Sequence, residues 1–243
     1  MSNILKPLFV DNHLIVFNKP AGLPVVPDES GDESLLDIAK VWIKKEFNKP
    51  GAVFLGVVHR LDRPVSGVVL FARTSKAAAR LTKAFQGRMA KKTYLGVGAG
   101  LIRHPDNQGE VHQWIVKSTT HNRVRTYSHS PDPKEIGPGE KPKEALTQWR
   151  ILQQTSFDGA PATRFELHPL TGRSHQLRAC CMTLGTPLLG DVKYAAQGAR
   201  PLPDRSIALH AKRLVIPHPT LKEDVVFDAP LPDSVWWKRW PEE

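Results

Sequence analysis

Period-two alternation recurs along the whole of this chain, whereas helical periodicity occurs in only three places. ALTQWRIL (145–152), ATRFELHPL (162–170) and IALHAKRLVI (207–216) alternate apolar and polar side chains as half-buried strands do. LFVDNHLIVFNKP (8–20) reads as two short strands around an Asp-Asn turn. GAVFLGVVH (51–59), GVVLFAR (67–73) and KKTYLGVGAG (91–100) read as further strands. The helices are SLLDIAKVWIKKEFN (34–48), capped by Ser34, SKAAARLTKAFQ (75–86), opened by Thr74-Ser75 and stopped by Gly87, and SHQLRACCMTL (174–184), capped by Ser174 and stopped by Gly185. Residues 103–145, rich in Pro, Gly, His and charge, are expected to form strand edges and long loops, an arm over a ligand. Helices scattered among hairpin-like pairs predict an α+β fold with a mixed, mainly antiparallel central sheet flanked by helices. No internal repeat divides the chain, and residues 1–243 are expected to form a single domain.

Composition narrows the partner more than the fold. Lys and Arg outnumber Asp and Glu 34 to 24, and the net charge of +10 favours a polyanion such as RNA or DNA. On the 75–86 segment Ala77, Leu81, Ala84 and Phe85 form the expected apolar face. Lys76, Arg80 and Lys83 lie on a different face, read as solvated in preference to a phosphate contact. The two cysteines, Cys180 and Cys181, are adjacent, offer no disulfide framework, and suit a reducing compartment. They and the tryptophans Trp236, Trp237 and Trp240 are expected in the core. The N-terminus lacks a signal-peptide pattern, and no segment approaches the roughly 20 apolar residues of a membrane helix. A cytoplasmic protein without a membrane partner is expected.

Several chemistries have no support. There is no G-x-x-x-x-G-K-[ST] loop, no G-x-G-x-x-G after a strand, no H-E-x-x-H, no paired C-x-x-C and no G-x-S-x-G. HRLD differs from the kinase H-R-D by its Leu, and no D-F-G accompanies it. What stands out is HRLDRPVSGVVLFART (59–74), where Asp62 sits between Arg60 and Arg63 just before an apolar strand. A lone carboxylate can serve as nucleophile or base if a cation or donors keep it ionised. Spacing alone favours a turn-forming Asp. In TGRSHQLR, Arg173 precedes a helix and Arg178 lies about one turn into it. A glycosidase-like reading would need a second acid, for which Glu166 and Asp191 are the candidates.

VHRLDRPVSGVVLFART resembles the signature of the RluA-type RNA pseudouridine synthases, roughly H-R-L-D-x-x-T-S-G followed by apolar residues. NKPAGLPVV (18–26) resembles that family's first motif, and KKTYLGVGAG the segment with its active-site tyrosine. LHPLTGRSHQLRACCMTLGTPLLGDVKY (167–194) resembles its T-G-R-[ST]-H-Q-[LI]-R and G-D-x-x-Y region, and IALHAKRLVIPHP its late strand. The blocks run in family order over about residues 10 to 220. Val65 stands where the family usually has Thr, and since the first motif begins at residue 18, the small N-terminal RNA-binding domain of many relatives is not expected.

The resemblance implies a pseudouridine synthase fold with a central active-site cleft. It also implies conversion of uridine in ribosomal RNA or tRNA to pseudouridine, with no metal or other cofactor. It makes Asp62 the catalytic carboxylate, attacking the sugar or promoting elimination. Tyr94 would stack on the uracil, Arg178 would pair with Asp62, and Leu177 would pack beneath the base. His59 and Arg60 would fix the turn or touch the flipped nucleotide. Arg173, Lys91, Lys92, Arg123 and Arg125 are candidate phosphate contacts by charge alone, with a solvated surface as the alternative for each. A monomer is expected, and a catalytically inactive RNA-binding protein of the same fold is the alternative.

Overall fold

A computed structural model describes residues 5–194, 201, 204–238 and 240. In chain order the elements are β1 (Phe9–Val10), β2 (Leu14–Lys19), α1 (Leu35–Glu46), β3 (Gly56–Val57), β4 (Ser66–Ala72), α2 (Ser75–Gln86), β5 (Lys91–Ala99), β6 (Gln108–Lys117), β7 (Val124–Tyr127), β8 (Pro142–Phe157), β9 (Ala160–Pro169), α3 (Gln176–Thr183), β10 (Leu209–Pro217), β11 (Asp224–Asp228) and α4 (Val235–Lys238). The strands are mainly antiparallel, and β4 pairs parallel with β10, so the predicted α+β class with a mixed sheet holds. The chain divides into two compact units, residues 1–92 with 210–233, and residues 93–209 with 234–243.

In the first unit β4 is the central strand. It pairs antiparallel with β2 and β3 and parallel with β10, and β11 flanks β10. All seven β4 residues are buried, which is why its sequence is a continuous apolar run after Ser-Gly. Val68, Leu70 and Ala72 on one face pack with Leu14, Val16, Leu214 and Ile216. Ala77, Leu81 and Ala84 of α2, three of the four residues predicted for its apolar face, join that cluster, and Phe85 lies against it. Ser34 caps α1 as predicted: its hydroxyl accepts from the Asp37 N–H, and the Asp37 carboxylate accepts from the Ser34 N–H.

One expectation for this unit needs correction, and a second, the stop of α2 at Gly87, holds with a different residue in the left-handed position. The 51–59 segment yields only the two-residue β3, because the His59 ring takes over the next position: its Nε2 accepts the Leu70 N–H at 2.9 Å. At the end of α2, Gly87 is the C-cap with an ordinary φ of −76°, and Arg88 (φ 59°) takes the left-handed position after it. The Met89 N–H bonds the Ala84 carbonyl and the Arg88 N–H the Phe85 carbonyl, so the chain turns back on those orphan acceptors without a glycine.

The second unit is an antiparallel sheet ordered β5-β9-β8-β6-β7. The β8–β9 hairpin turns at Asp158-Gly159, both at positive φ (50° and 81°), the geometry that matches strand twist. The region expected as strand edges and loops contains the ten-residue β6, paired along its length with β8, and the short β7. Its partner lies about 35 residues downstream, and that pairing is invisible to local periodicity. Trp237 and Trp240 are buried as expected, while the side chain of Trp236 lies outside the described residues.

Candidate active site

The residues singled out from the sequence fall in both units. His59, Arg60 and Asp62 belong to the first, and Tyr94, Arg173, Leu177 and Arg178 to the second.

In the first unit Asp62 opens a turn closed by its own carbonyl, which accepts the Val65 N–H at 3.0 Å. Four devices hold that turn. At its far end, Ser66 Oγ donates to His210 Nδ1 (2.8 Å), and the opposite ring nitrogen donates to the Ala229 carbonyl (3.2 Å), which sets the tautomer. Gly67 has φ 117°, and any Cβ there would run into the Ala211 backbone of β10, so the Ser-Gly after the turn is a requirement of close strand approach. On the other side Gly22 and Arg63 bond reciprocally, Gly22 N–H to the Arg63 carbonyl and Arg63 Nε to the Gly22 carbonyl, both 2.9 Å. The Arg63 guanidinium reaches Ser30 and pairs with Asp32. It is spent on the 22–32 loop, while Arg60 is exposed.

The fourth device is a residue whose part sequence reasoning missed. Lys19 is 0% exposed, and its ammonium donates to the carbonyls of Pro20 (3.0 Å), Leu23 (2.8 Å) and Arg63 (3.1 Å). It therefore ties the 18–26 motif to the Asp62 turn. Burial pushes its pKa down to about 7, opposed by the negative charge of Asp62, which favours the protonated form. The signal was present as the Lys in NKPAG, but a lysine at a strand end reads as solvated unless its burial is known. His59 is likewise committed to the framework. Its ring stacks on Phe85 (4.9 Å, 23°), and burial, then the Lys92 charge, holds its pKa down to about 3, so it accepts from Leu70 as a neutral imidazole.

In the second unit Arg178 is 5% exposed and forms a two-bond fork with Asp191, itself 1% exposed: Nε to Oδ2 and Nη2 to Oδ1, both 2.7 Å. Asp191 also accepts from the backbone N–H groups of Lys193 (3.1 Å) and Tyr194 (3.3 Å). The guanidinium lies over the Tyr194 ring, 5.1 Å from its centroid. The Tyr194 hydroxyl accepts the Val124 N–H (2.9 Å) and bonds His175 Nδ1 (2.6 Å). Asp191, a spare acid in the sequence reading, is thus the carboxylate that orients Arg178.

The loop before α3 departs from expectation. Ser174 does not cap the helix; His175 holds the N-cap position in the left-handed conformation (φ 53°) with no side-chain cap bond. Gln176 imposes this shape, its amide accepting from Thr171 Oγ1 (2.8 Å) and the Arg173 N–H (3.0 Å) and donating to Leu146 and Thr147 of β8 (both 3.0 Å). Arg173 Nε bonds the Glu144 carbonyl at 2.8 Å. Leu177 is buried, as are Cys180 and Cys181, whose thiols burial pushes up, to about 12 for Cys180, as suits inert core residues. Tyr94 is half-buried on β5 opposite Leu167 of β9. No group of three metal-ligating side chains occurs among the described residues, and no helix among them is long and apolar enough to cross a membrane.

Residues 13–183 match the family model described as RNA pseudouridylate synthase. A dual-specificity RNA pseudouridine synthase RluA of Pasteurella multocida is 35% identical over 220 residues, 90% of each chain. Its Escherichia coli K12 namesake is 33% identical over 223 residues, covering 92% of this chain and 91% of that one. A solved human structure, RNA pseudouridylate synthase domain containing 1, superposes with a TM-score of 0.73 at 26% identity, over 96% of this chain and 86% of that chain.

Proposed function

Because the chain belongs to the RNA pseudouridylate synthase family, we propose that Asp62 is the carboxylate with which it isomerises uridine in RNA. The activity is that of an isomerase: the bond from uracil nitrogen to the sugar breaks, the base turns, and a bond to carbon replaces it, with every atom retained. A uridine in a duplex must leave the stack first, at a cost of a few kcal/mol. Stacking on an aromatic ring returns about 1–3 kcal/mol, and Tyr94 supplies that ring in our reading. Arg178, oriented by Asp191, provides a fixed positive charge in our reading, and Leu177 the apolar floor. Arg60 and Arg173 hold the RNA, while His59 fixes the turn.

The observation that carries this reading is the Asp62 turn, clamped on one side by Lys19 and Arg63 and on the other by Ser66 and Gly67. Such rigidity is costly to build and suits a group whose position must be exact to fractions of an ångström. Val65 is 3% exposed, so a valine in the Thr position fills packed space. We take ribosomal RNA and tRNA both as substrates, in line with relatives named dual-specificity enzymes. The two units act as one catalytic domain, in a monomer, in the cytoplasm, where free thiols at Cys180 and Cys181 stay reduced.

The test is incubation of the purified chain with unmodified bulk tRNA and ribosomal RNA, beside Asp62→Asn, followed by nucleoside chromatography. Wild type yields pseudouridine, and the variant binds RNA but falls by at least ~10²–10⁴-fold in rate. Turnover by Asp62→Asn near wild type refutes the assignment of Asp62. RNA binding without product from either chain favours the inactive binder.

A further inference from the structure

A cavity of about 600 Å³ opens in the second unit between the β6–β7 loop, β7 and the 193–194 turn. Arg123, Arg125 and Lys193 line it, with His121 beside them, against the single carboxylate of Glu140. That carboxylate is already engaged by the Arg125 guanidinium and by the Gly137 N–H at 2.8 Å. The wall is thus net positive and concave, the shape that concentrates field on an anion. The volume lies within the range of small-ligand pockets and exceeds what one phosphate group requires.

The loop is built in advance. Ser118 N–H bonds the Arg123 carbonyl (3.1 Å), Arg123 N–H the His121 carbonyl (2.7 Å), and Ser118 Oγ accepts the His121 N–H (3.1 Å). Lys193 Nζ donates to the Asn122 carbonyl at 2.7 Å, which joins the loop to the turn that carries Asp191. The wall also contains Tyr194, whose hydroxyl bonds Val124 and His175 and whose ring lies under Arg178. Cavity and catalytic-arginine support are one hydrogen-bonded body within this unit.

We propose that this cavity is a phosphate-binding subsite for the RNA strand beyond the target uridine, with Arg123, Arg125 and Lys193 as its cations. The proposal rests on the reading of the chain as an RNA pseudouridine synthase. Its cations sit on two stretches of chain far apart in sequence, Arg123 and Arg125 on one and Lys193 on the other, around one hollow, which fits successive phosphates of a strand better than a lone ion. His121, Arg123 and Arg125 are exposed at the rim, open to a polymer that passes through.

The experiment compares wild type with Arg123→Gln/Lys193→Gln and with Lys76→Gln/Lys83→Gln, which removes the same charge from an exposed face of α2. Arg123→Gln alone serves if the double variant folds poorly, since none of the described hydrogen bonds uses its side chain. Binding of unmodified bulk tRNA and ribosomal RNA is measured against salt, with pseudouridine formation alongside. Loss of two contacts makes the slope of log K against log salt shallower by about 1.4–1.8, and loss of Arg123 alone by about 0.7–0.9. KM rises with kcat held in the cavity variants, and the α2 variant shows neither change. An unchanged slope in the cavity variants overturns the subsite, as does an equal effect in the α2 variant, which reads as net charge only. Wild type that fails to bind these RNAs overturns it too. Wild type that binds RNA and makes no pseudouridine refutes the enzyme reading, while the slopes still decide the subsite.

Discussion

Replacing Asp191 by Ala tests whether the buried fork beneath the catalytic assignment holds the second unit together. The substitution removes the acceptor for Arg178 Nε and Nη2 and for the backbone N–H groups of Lys193 and Tyr194, four donors in all, at a site where the arginine is 5% and the aspartate 1% exposed. Breaking a buried ion pair from one side costs about 3–5 kcal/mol, because the other charge is left in a dry place. For a chain of this size each kcal/mol corresponds to a Tm change of about 2–4 °C, so a fall of roughly 6–20 °C is expected. Urea unfolding followed by circular dichroism gives the same quantity at 25 °C. Asp191→Asn keeps one carbonyl acceptor and is expected to fall between Ala and wild type. Adding Arg178→Met to Asp191→Ala should recover stability, since a buried ion pair replaced by apolar groups is often nearly neutral. A loss below ~1 kcal/mol for Asp191→Ala would refute the argument that the fork is a desolvated, mutually dependent pair.

Three further outcomes follow from the clamp around Asp62. Gly67→Ala forces a Cβ into the Ala211 backbone at φ 117°, so it should destabilise by at least ~2 kcal/mol and lower turnover, read by thermal melting and pseudouridine yield; a variant as stable as wild type would contradict the close approach of β4 and β10. His59 has its pKa lowered to about 3 from 6.5, so between those values the unfolded chain holds a proton that the folded one does not. Stability should therefore fall as pH drops below about 6.5, by roughly 1.4 kcal/mol per unit, and His59→Gln should flatten that slope in chemical denaturation. Lys19 gives the same sign in a higher window: its pKa is lowered to about 7 from 10.5, so stability should rise with pH across that range by up to ~1.4 kcal/mol per unit, and the rise should vanish in Lys19→Met.

Local rules were enough wherever an element's neighbours merely had to be apolar. The alternation of β8, β9 and β10, the continuous apolar run of β4, the Ser34 cap and the Ala77–Leu81–Ala84 face of α2 all follow from side-chain period and capping chemistry carried within a few residues. The candidate site was legible in the order of its motifs, which marked Asp62, Tyr94 and Arg178 without showing what holds them. Tertiary structure decided the rest, because the deciding partners are distant in sequence. Ser174 has good capping chemistry, yet Gln176 bonding back to β8 and Tyr194 bonding His175 place the helix start one residue later, in a left-handed turn. By sequence His59 either fixes the turn or touches the flipped nucleotide; in the fold its Nε2 accepts the N–H of Leu70, eleven residues on. By sequence Asp191 is a candidate second acid and Lys19 one residue of the first motif; folding removes water from both. A buried charge must then find its partner, and only the packed chain determines which one is within reach.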